Sequence, residues 1–484
     1  MVMHRAKHHN NIRKPTKYLI CFLIAGFILV KLILLATRHH PLLWDEAVYL
    51  AIGKYIYSAG AVGLMENFRP FALSLMLGGF WKLGFDYIMI SDIVLLLFSV
   101  GCIYLVYRIG CLYMNRGLGL LSALIMAISP LFFYNSSRIM TGIPSLFFIL
   151  LAVYMFSKEK YGLAGLFAGF AFLFRFPNGI FVFVFGTMIV IMYARDRDLM
   201  LSLSRLINFA LPFAIVVLVY FLTNYYFYDS AFAPLLFAAE HQVSGLYSLA
   251  GFWQNIVYYP YNLVYQCLFF IFVIVSFIKP DRKKLLIYLA FLFPFVYYIF
   301  TGNKQLRFAL VYLPFLSLLA THGFAGALVF IRKRFRKNRK RTWLGRILRL
   351  AVYAILFISL FDMFICDYNL FFSFPAEKPA IVAEYNEFFA GYPANITILT
   401  SDPVPAAYSN QKFIYFYDSI HRAANRFRDN IDKVDYVIYN PSGIYCEQDY
   451  CFAIKENYYE TLMGKGKPIF NKSYDNEPRM IFEV

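Results

Sequence analysis

Charge is scarce in this sequence, and negative charge is scarcest. Aspartate and glutamate number 28 against 46 lysines and arginines in 484 residues, and the charged share is 15%. With a hydrophobic share of 60% and a mean hydropathy of +0.58, too little polar surface remains to cover a soluble globule, which leaves a polytopic membrane protein. Cysteine is also sparse, at seven. Five cysteines lie in or beside apolar runs and read as packing residues. Only Cys446 and Cys451 share a polar segment at short spacing, where a disulfide and two free thiols are equally open. No small-residue cleavage site follows the first apolar run, so that run reads as a retained anchor with the N-terminus in the cytoplasm. No internal repeat is visible. A net charge of +18 would suggest nucleic acid in a soluble chain. Here the basic residues sit in short loops between apolar runs, so the bilayer is the expected partner and nucleic acid is not.

What is there is a series of apolar runs. A window of about 20 residues places spans near 18–37, 89–108, 117–135, 143–157, 161–174, 178–194, 206–226, 257–278, 285–300, 308–331 and 347–365. The expected fold is therefore a polytopic α-helical membrane protein of about eleven helices. Alternating the spans from an inside N-terminus collects more than half of the 46 Lys and Arg, including the run RKRFRKNRKR from Arg332 to Arg341, on the cytoplasmic side. That holds only if Arg69 to Phe85 (RPFALSLMLGGFWKLGF) does not cross, so it reads as an interfacial helix within a first outer loop at 38–88. Residues 1–365 then form the membrane domain. Residues 366–484 form an extracytoplasmic α/β domain, with strand signals at 396–400, 412–417, 435–440 and 479–484 and a helical pattern in EKPAIVAEYNEFFAG.

The first outer loop opens with PLLWDEAVYL, which sets Asp45 and Glu46 side by side where the chain has just left the membrane. Either acid suits the first turn of the helix that follows, and capping is the preferred account of Glu46. Neighbouring helical positions point about 100° apart, so one acid can cap while the other faces a cavity. Five cations (Arg69, Arg138, Arg175, Lys304 and Arg307) lie at outer helix boundaries, on the side otherwise poor in Lys and Arg. One alone would be a snorkelling residue. Together with Asp45 they outline a site for an anion at membrane depth. Lys31, inside the first span, reads as snorkelling outward. His39, His40, Glu240 and His241 could join Asp45 around a metal, but imidazoles in such loops are mostly not ligands, and no structural metal is expected.

The order WDEAVYL, RPFALSLMLGGFWKLG, SSRIMTGIPSLFF, GLFAGFAFLFRFPNG and TGNKQLRFALVYLPFLSLLA resembles the membrane glycosyltransferases of the GT-C superfamily, in the branch of protein O-mannosyltransferases and the lipid A aminoarabinose transferase. NKQLRF is similar to the HKExRF pattern of lipid-linked mannosyltransferases. The resemblance covers most of the membrane portion and implies a sugar donor on a polyprenyl or dolichyl phosphate. It also implies a hydroxyl acceptor on protein, lipid or glycan, and transfer of a single sugar such as mannose at the extracytoplasmic face of the cell membrane. It makes Asp45 the base, assigns donor-phosphate binding to Arg175, Lys304 and Arg307, with Arg69 and Arg138 as further cations, and suggests inversion at the anomeric carbon. The chain departs from the pattern at Gly142 and Phe68, where relatives carry acids; Glu66, two residues from Phe68, is the available substitute. These departures leave the acceptor and any divalent metal open, and no cofactor is implied beyond that. Two other functions fit the basic ring: a transporter or flippase for a lipid-linked anion, and a transferase or polymerase of longer lipid-linked glycans. The first lacks paired halves, and the WWD acceptor motif of oligosaccharyltransferases is absent.

The topology has a direct check. External thiol labelling of single-cysteine variants is expected to modify Ser442→Cys and to spare Asn338→Cys; the reverse pattern would invert the outer loops and remove the site.

Overall fold

The computed structural model describes residues 14–38, 42–243, 249–301, 305–336, 342–375, 388–389, 391–393, 395–417, 420–444, 451–474 and 477–484. The expected architecture is present: apolar helices followed by a small α/β domain built on five strands. Among the described residues, six helices are long and apolar enough to cross a membrane. They lie in α1 (Lys14–Thr37), α4 (Tyr87–Tyr113), α9 (Ile180–Asp196) with the turn before it, α10 (Leu199–Tyr228), α15 (Leu313–Arg336) and α16 (Thr342–Ser373). Shorter apolar helices accompany them: α5 (Arg116–Ala127), α7 (Gly142–Ser157), α8 (Tyr161–Phe174) and α13 (Phe272–Ile278). The helices α8 and α10 approach closely because Gly165 and Gly169 carry no side chain: a Cβ on Gly165 would lie 1.9 Å from the Phe209 carbonyl oxygen, and one on Gly169 2.9 Å from the Val216 Cβ. Small residues four apart permit such contact where lipid offers no hydrophobic drive.

Three of the expected continuous spans are broken. Residues 117–135 divide into α5 and α6 (Pro130–Asn135), since Pro130 at the first helical position starts a new helix and cannot extend the old one. The 257–278 run is the end of α12 (Leu249–Gln266), an extended Cys267, a 3₁₀ turn and α13; nothing in the local sequence marks that break. The 308–331 run begins as a 3₁₀ turn, Leu306–Val311, before α15. Lys31 corrects a fourth expectation. It is buried in α1, donates to the Phe133 carbonyl at 2.6 Å and to the Ser137 hydroxyl, and lies 3.6 Å from the Phe133 ring centroid. It therefore points into the bundle and supports the segment after α6.

The segment between α1 and α4 carries α2 (Trp44–Tyr57) and α3 (Ala72–Lys82). At 11 residues, α3 is about 16 Å long and too short to cross a bilayer. It crosses α2 at Gly53 and Gly78, where a Cβ on Gly78 would lie 2.4 Å from the Gly53 carbonyl oxygen.

The C-terminal sheet has strand order β2-β1-β3-β5-β4, from β1 (Thr397–Thr400), β2 (Lys412–Tyr415), β3 (Tyr436–Tyr439), β4 (Lys467–Tyr474) and β5 (Glu477–Glu483). Pairing is parallel among β2, β1 and β3 and antiparallel across β5 and β4. β4 escaped the sequence reading, because KPIFNKSY lacks the apolar alternation of a half-buried strand. EKPAIVAEYNEFFAG lies outside the described residues apart from Phe388, Phe389 and Gly391, as do Cys446 and the side chain of Cys451.

Period-2 alternation buries both faces of this sheet. Leu399 and Val437 pack with Ala423, Phe427 and Leu462 of two flanking helices. On the opposite face, Ile398 and Ile438 pack with Ala51 and Leu64 of the segment between α1 and α4. Three polar contacts fix that docking. Gly63 and β2 exchange backbone hydrogen bonds at 2.8 Å. The fully buried Lys54 donates to the Ala407 and Ser409 carbonyls, each at 2.8 Å. The Tyr417 hydroxyl reaches Glu66. Burial lowers the Lys54 ammonium to about 7.

The α2–α3 crossing generates a prediction. Gly78→Ala is expected to lower thermal stability in detergent by about 1–3 kcal/mol through overpacking. Gly186→Ala, with nothing within 4 Å of the new methyl, is expected to be silent; equal effects would refute the tight crossing.

Candidate active site

Two helix breaks and one helix start meet at one end of the bundle. The first turn of α2 carries both acids. Leu43, its N-cap, has no side-chain acceptor, and only the return half of a capping box is made: Glu46 Oε2 accepts the Leu43 N–H at 2.7 Å. Glu46 Oε1 accepts the Ile139 N–H at 2.7 Å, and Arg138 lies 3.5 Å away. Burial pushes the Glu46 carboxyl up against the pull of Arg138 and these two amides. Glu46 is thus a buried strap between α2 and the segment after α6, and Arg138 is committed to it.

Asp45 faces the other way. Its Oδ1 accepts from Arg69 Nη1 and its Oδ2 from Arg307 Nη1, both at 2.6 Å. Burial opposes ionisation of Asp45, but Arg69 and Arg307 outweigh it and hold the carboxyl well below the usual carboxylate range. Arg69 is anchored on its far side: its Nε donates to Glu66 Oε2 at 2.6 Å, and Glu66 Oε1 accepts from the Tyr417 hydroxyl at 2.6 Å. Glu66 and Tyr417 are buried.

Arg175 enters at the break in FLFRFPNG. Pro177 bars continuation of α8, so Arg175 is extended (φ −157°, ψ 110°) before the 3₁₀ turn Phe176–Gly179 and α9. Its guanidinium lies 5.1 Å from the Phe308 ring and 5.9 Å from the Tyr298 ring, and those rings stack on each other at 5.2 Å. Among the described residues the Arg175 guanidinium makes no hydrogen bond or ion pair, while its backbone N–H donates to the Ala171 carbonyl. A cavity of about 220 Å³ is lined by Asp45, Tyr49, Arg69, Gly142, Arg175 and Arg307, with further neighbours. Among the described residues, three guanidiniums therefore line one space opposite a single carboxylate. Gly142 contributes no acid, and a Cβ there would stand 3.9 Å from Arg175 Nη1.

Of the residues singled out from sequence, Asp45, Arg69, Arg175 and Arg307 come together around the cavity, and Glu66 stands behind Arg69. Arg138 and Glu46 pair with each other instead. Lys304, His39, His40 and the side chains of Glu240 and His241 lie outside the described residues. Among the described residues no group of His, Cys, Asp or Glu is placed to hold a metal ion. Tyr417, Tyr298 and Phe308 were not foreseen. Tyr417 and Glu66 are 351 residues apart, and no local pattern distinguishes Tyr417 from the other 38 of the 39 tyrosines.

No protein-family model matches the sequence, and no curated protein matches it. Solved structures do. ArnT from Cupriavidus metallidurans, bound to undecaprenyl phosphate, is 12% identical with a TM-score of 0.66, covering 96% of this chain and 97% of that one. The Archaeoglobus fulgidus oligosaccharyltransferase tethered to an acceptor peptide is 11% identical with a TM-score of 0.55, over 88% and 69%. The arabinofuranosyltransferase AftD from Mycobacteria is 11% identical with a TM-score of 0.53, over 96% of this chain and 40% of that one. At these identities the likeness establishes the fold, which is the GT-C fold expected from the motif order.

The strap generates a prediction. Glu46→Gln turns one acceptor into an NH₂ group facing a buried N–H, and is expected to lower stability by about 1–3 kcal/mol. A melting temperature equal to the parent's would remove the strapping role.

Proposed function

We propose that this protein is a membrane glycosyltransferase that moves a single sugar from a polyprenyl phosphate carrier to an acceptor hydroxyl at the extracytoplasmic face. The observation that carries the reading is Arg175, a guanidinium between aromatic rings and without an anionic partner among the described residues, in one cavity with Asp45, Arg69 and Arg307. An excess of cations in a poorly hydrated space is an anion site. ArnT, of the same fold, binds undecaprenyl phosphate, which favours a phosphate on a lipid chain as that anion.

The chemistry needs few groups. The acceptor oxygen attacks the anomeric carbon, its proton passes to the Asp45 carboxylate, and the bond from the anomeric carbon to the phosphate oxygen breaks. The carrier leaves as a phosphomonoester, gaining one negative charge. Arg175 and Arg307 meet that charge where it develops, so a strong general acid is not required. A single displacement inverts the anomeric carbon. The docked C-terminal domain covers the first outer loop and holds Glu66 through Tyr417, which keeps the base side rigid. With Gly142 in place of an acid, the space beside Arg175 stays free for substrate.

Asp45→Asn keeps the size of the side chain and removes its proton affinity. Turnover is expected to fall by about 10² or more, with the fold and lipid-phosphate binding retained; full turnover would sink the assignment. A carrier of lipid-linked anions would instead translocate its lipid and release no transferred sugar. Arg175→Ala is expected to weaken carrier-phosphate binding by about 1.5–3 kcal/mol, and Arg175→Lys to restore part of it. Unchanged affinity in both variants would remove Arg175 from the site.

A further inference from the structure

The two guanidiniums on Asp45 lie at the same distance, 2.6 Å, yet they are held differently. Arg69 makes a second charged contact through Nε to the buried Glu66, which Tyr417 holds from the C-terminal domain. The Arg69 guanidinium also lies 5.4 Å and 5.5 Å from the rings of Tyr49 and Phe68, and its side chain is 14% exposed. Arg307 stands on the 3₁₀ turn Leu306–Val311, and its side chain is 36% exposed. Among the described residues its contacts are Asp45 and the Phe308 ring. Displacing Arg69 breaks two charge-assisted hydrogen bonds and leaves a buried carboxylate unpaired, whereas displacing Arg307 breaks one bond beside an open cavity.

We infer that Arg307 is an exchangeable counter-ion and Arg69 a fixed positioning residue: an arriving phosphate draws Arg307 off Asp45 toward Arg175, while Glu66 and Tyr417 keep Arg69 on the carboxylate. The inference deepens the glycosyl-transfer reading and rests on its phosphate site. Asp45 and an arriving phosphate thus compete for the same Arg307 guanidinium. A carboxylate clamped between two guanidiniums is a poor proton acceptor, and loss of one raises its basicity. The other charged groups around it (Glu46 and Arg138 behind α2, Arg175 across the cavity, Glu66 behind Arg69) keep their partners or positions through the exchange. Donor binding would therefore switch on the base, and an acceptor hydroxyl arriving first would meet an inactive one. The division also gives the C-terminal domain a role in the reaction, because its Tyr417 is the last link of the chain that immobilises Arg69.

The test is equilibrium binding of undecaprenyl phosphate to the purified full chain, with melting temperature followed for every variant. Asp45→Asn frees Arg307 in advance and is expected to tighten binding about tenfold, the scale of one charge-assisted hydrogen bond. Arg307→Gln is expected to weaken binding by a similar factor, and in that background Asp45→Asn is expected to bring no gain. Asp45→Ala is the second route to the same comparison should the asparagine variant misfold. With a turning-over donor, Tyr417→Phe is expected to lower kcat and leave the donor KM in place, whereas Arg307→Lys raises KM. If the parent binds the lipid phosphate and Asp45→Asn is no tighter, or is equally tighter without Arg307, the exchange is refuted and the phosphate site stands. If neither parent nor variant binds it, both readings fall.

Discussion

The ion pair that organises the candidate site is Asp45 between Arg69 and Arg307. Its members stand 24 and 262 residues apart, so it forms only when the segment between α1 and α4 and the 3₁₀ turn before α15 have been folded together. Taking charges out of water is costly unless geometry is good and spare hydrogen-bonding capacity is used. Here both oxygens of Asp45 are taken, and Arg69 is shared with Glu66, itself closed by Tyr417. The cluster is satisfied on the protein side and left open on the cavity side, as a ligand site requires.

The fold achieves this by interrupting helices. Backbone that leaves helical geometry at membrane depth is tolerated where it is buried in protein or lines a cavity. Arg175 lies at the α8–α9 break and Arg307 on the turn before α15, while Thr141 and Gly142 line the cavity where α7 begins. Lys31 supports the segment after α6 from below, and Glu46 straps it from the side. The sheet docks its Ile398 and Ile438 face onto α2 and Leu64. The carboxylate is thus carried by a short helix clamped between a membrane bundle and a soluble domain.

Much of this was legible in the sequence, for identifiable reasons. Apolar runs of bilayer length give the helices, and FRFPNG announces a break because proline cannot extend a helix. The division of labour between Asp45 and Glu46 follows from helical periodicity, and the structure keeps it: one acid faces the cavity and the other ties backbone. The strands β1, β2, β3 and β5 are short β-branched and aromatic runs. The rest depends on contacts far apart in sequence. Arg138 and Arg175 look alike in sequence, each beside a helix boundary, yet one is spent on Glu46 and the other faces the cavity. Lys31 reads as a snorkelling residue until the Phe133 carbonyl and Ser137 are seen beside it. Tyr417 has no signature, since a tyrosine in KFIYFY reads as one of several strand aromatics. Cys267 breaks a helix where the sequence shows neither proline nor glycine.

The central claim is that the guanidinium-lined cavity beside Asp45 breaks the bond between a sugar and a polyprenyl phosphate. Incubating the purified protein and membrane extracts as acceptor with a panel of radiolabelled polyprenyl phosphate sugars tests it most directly. One donor is expected to lose its label to a hydroxyl-bearing acceptor and yield free polyprenyl phosphate, and Asp45→Asn to lower both products by about 10² or more. Intact donors across the panel, or a yield that does not depend on Asp45, would contradict it.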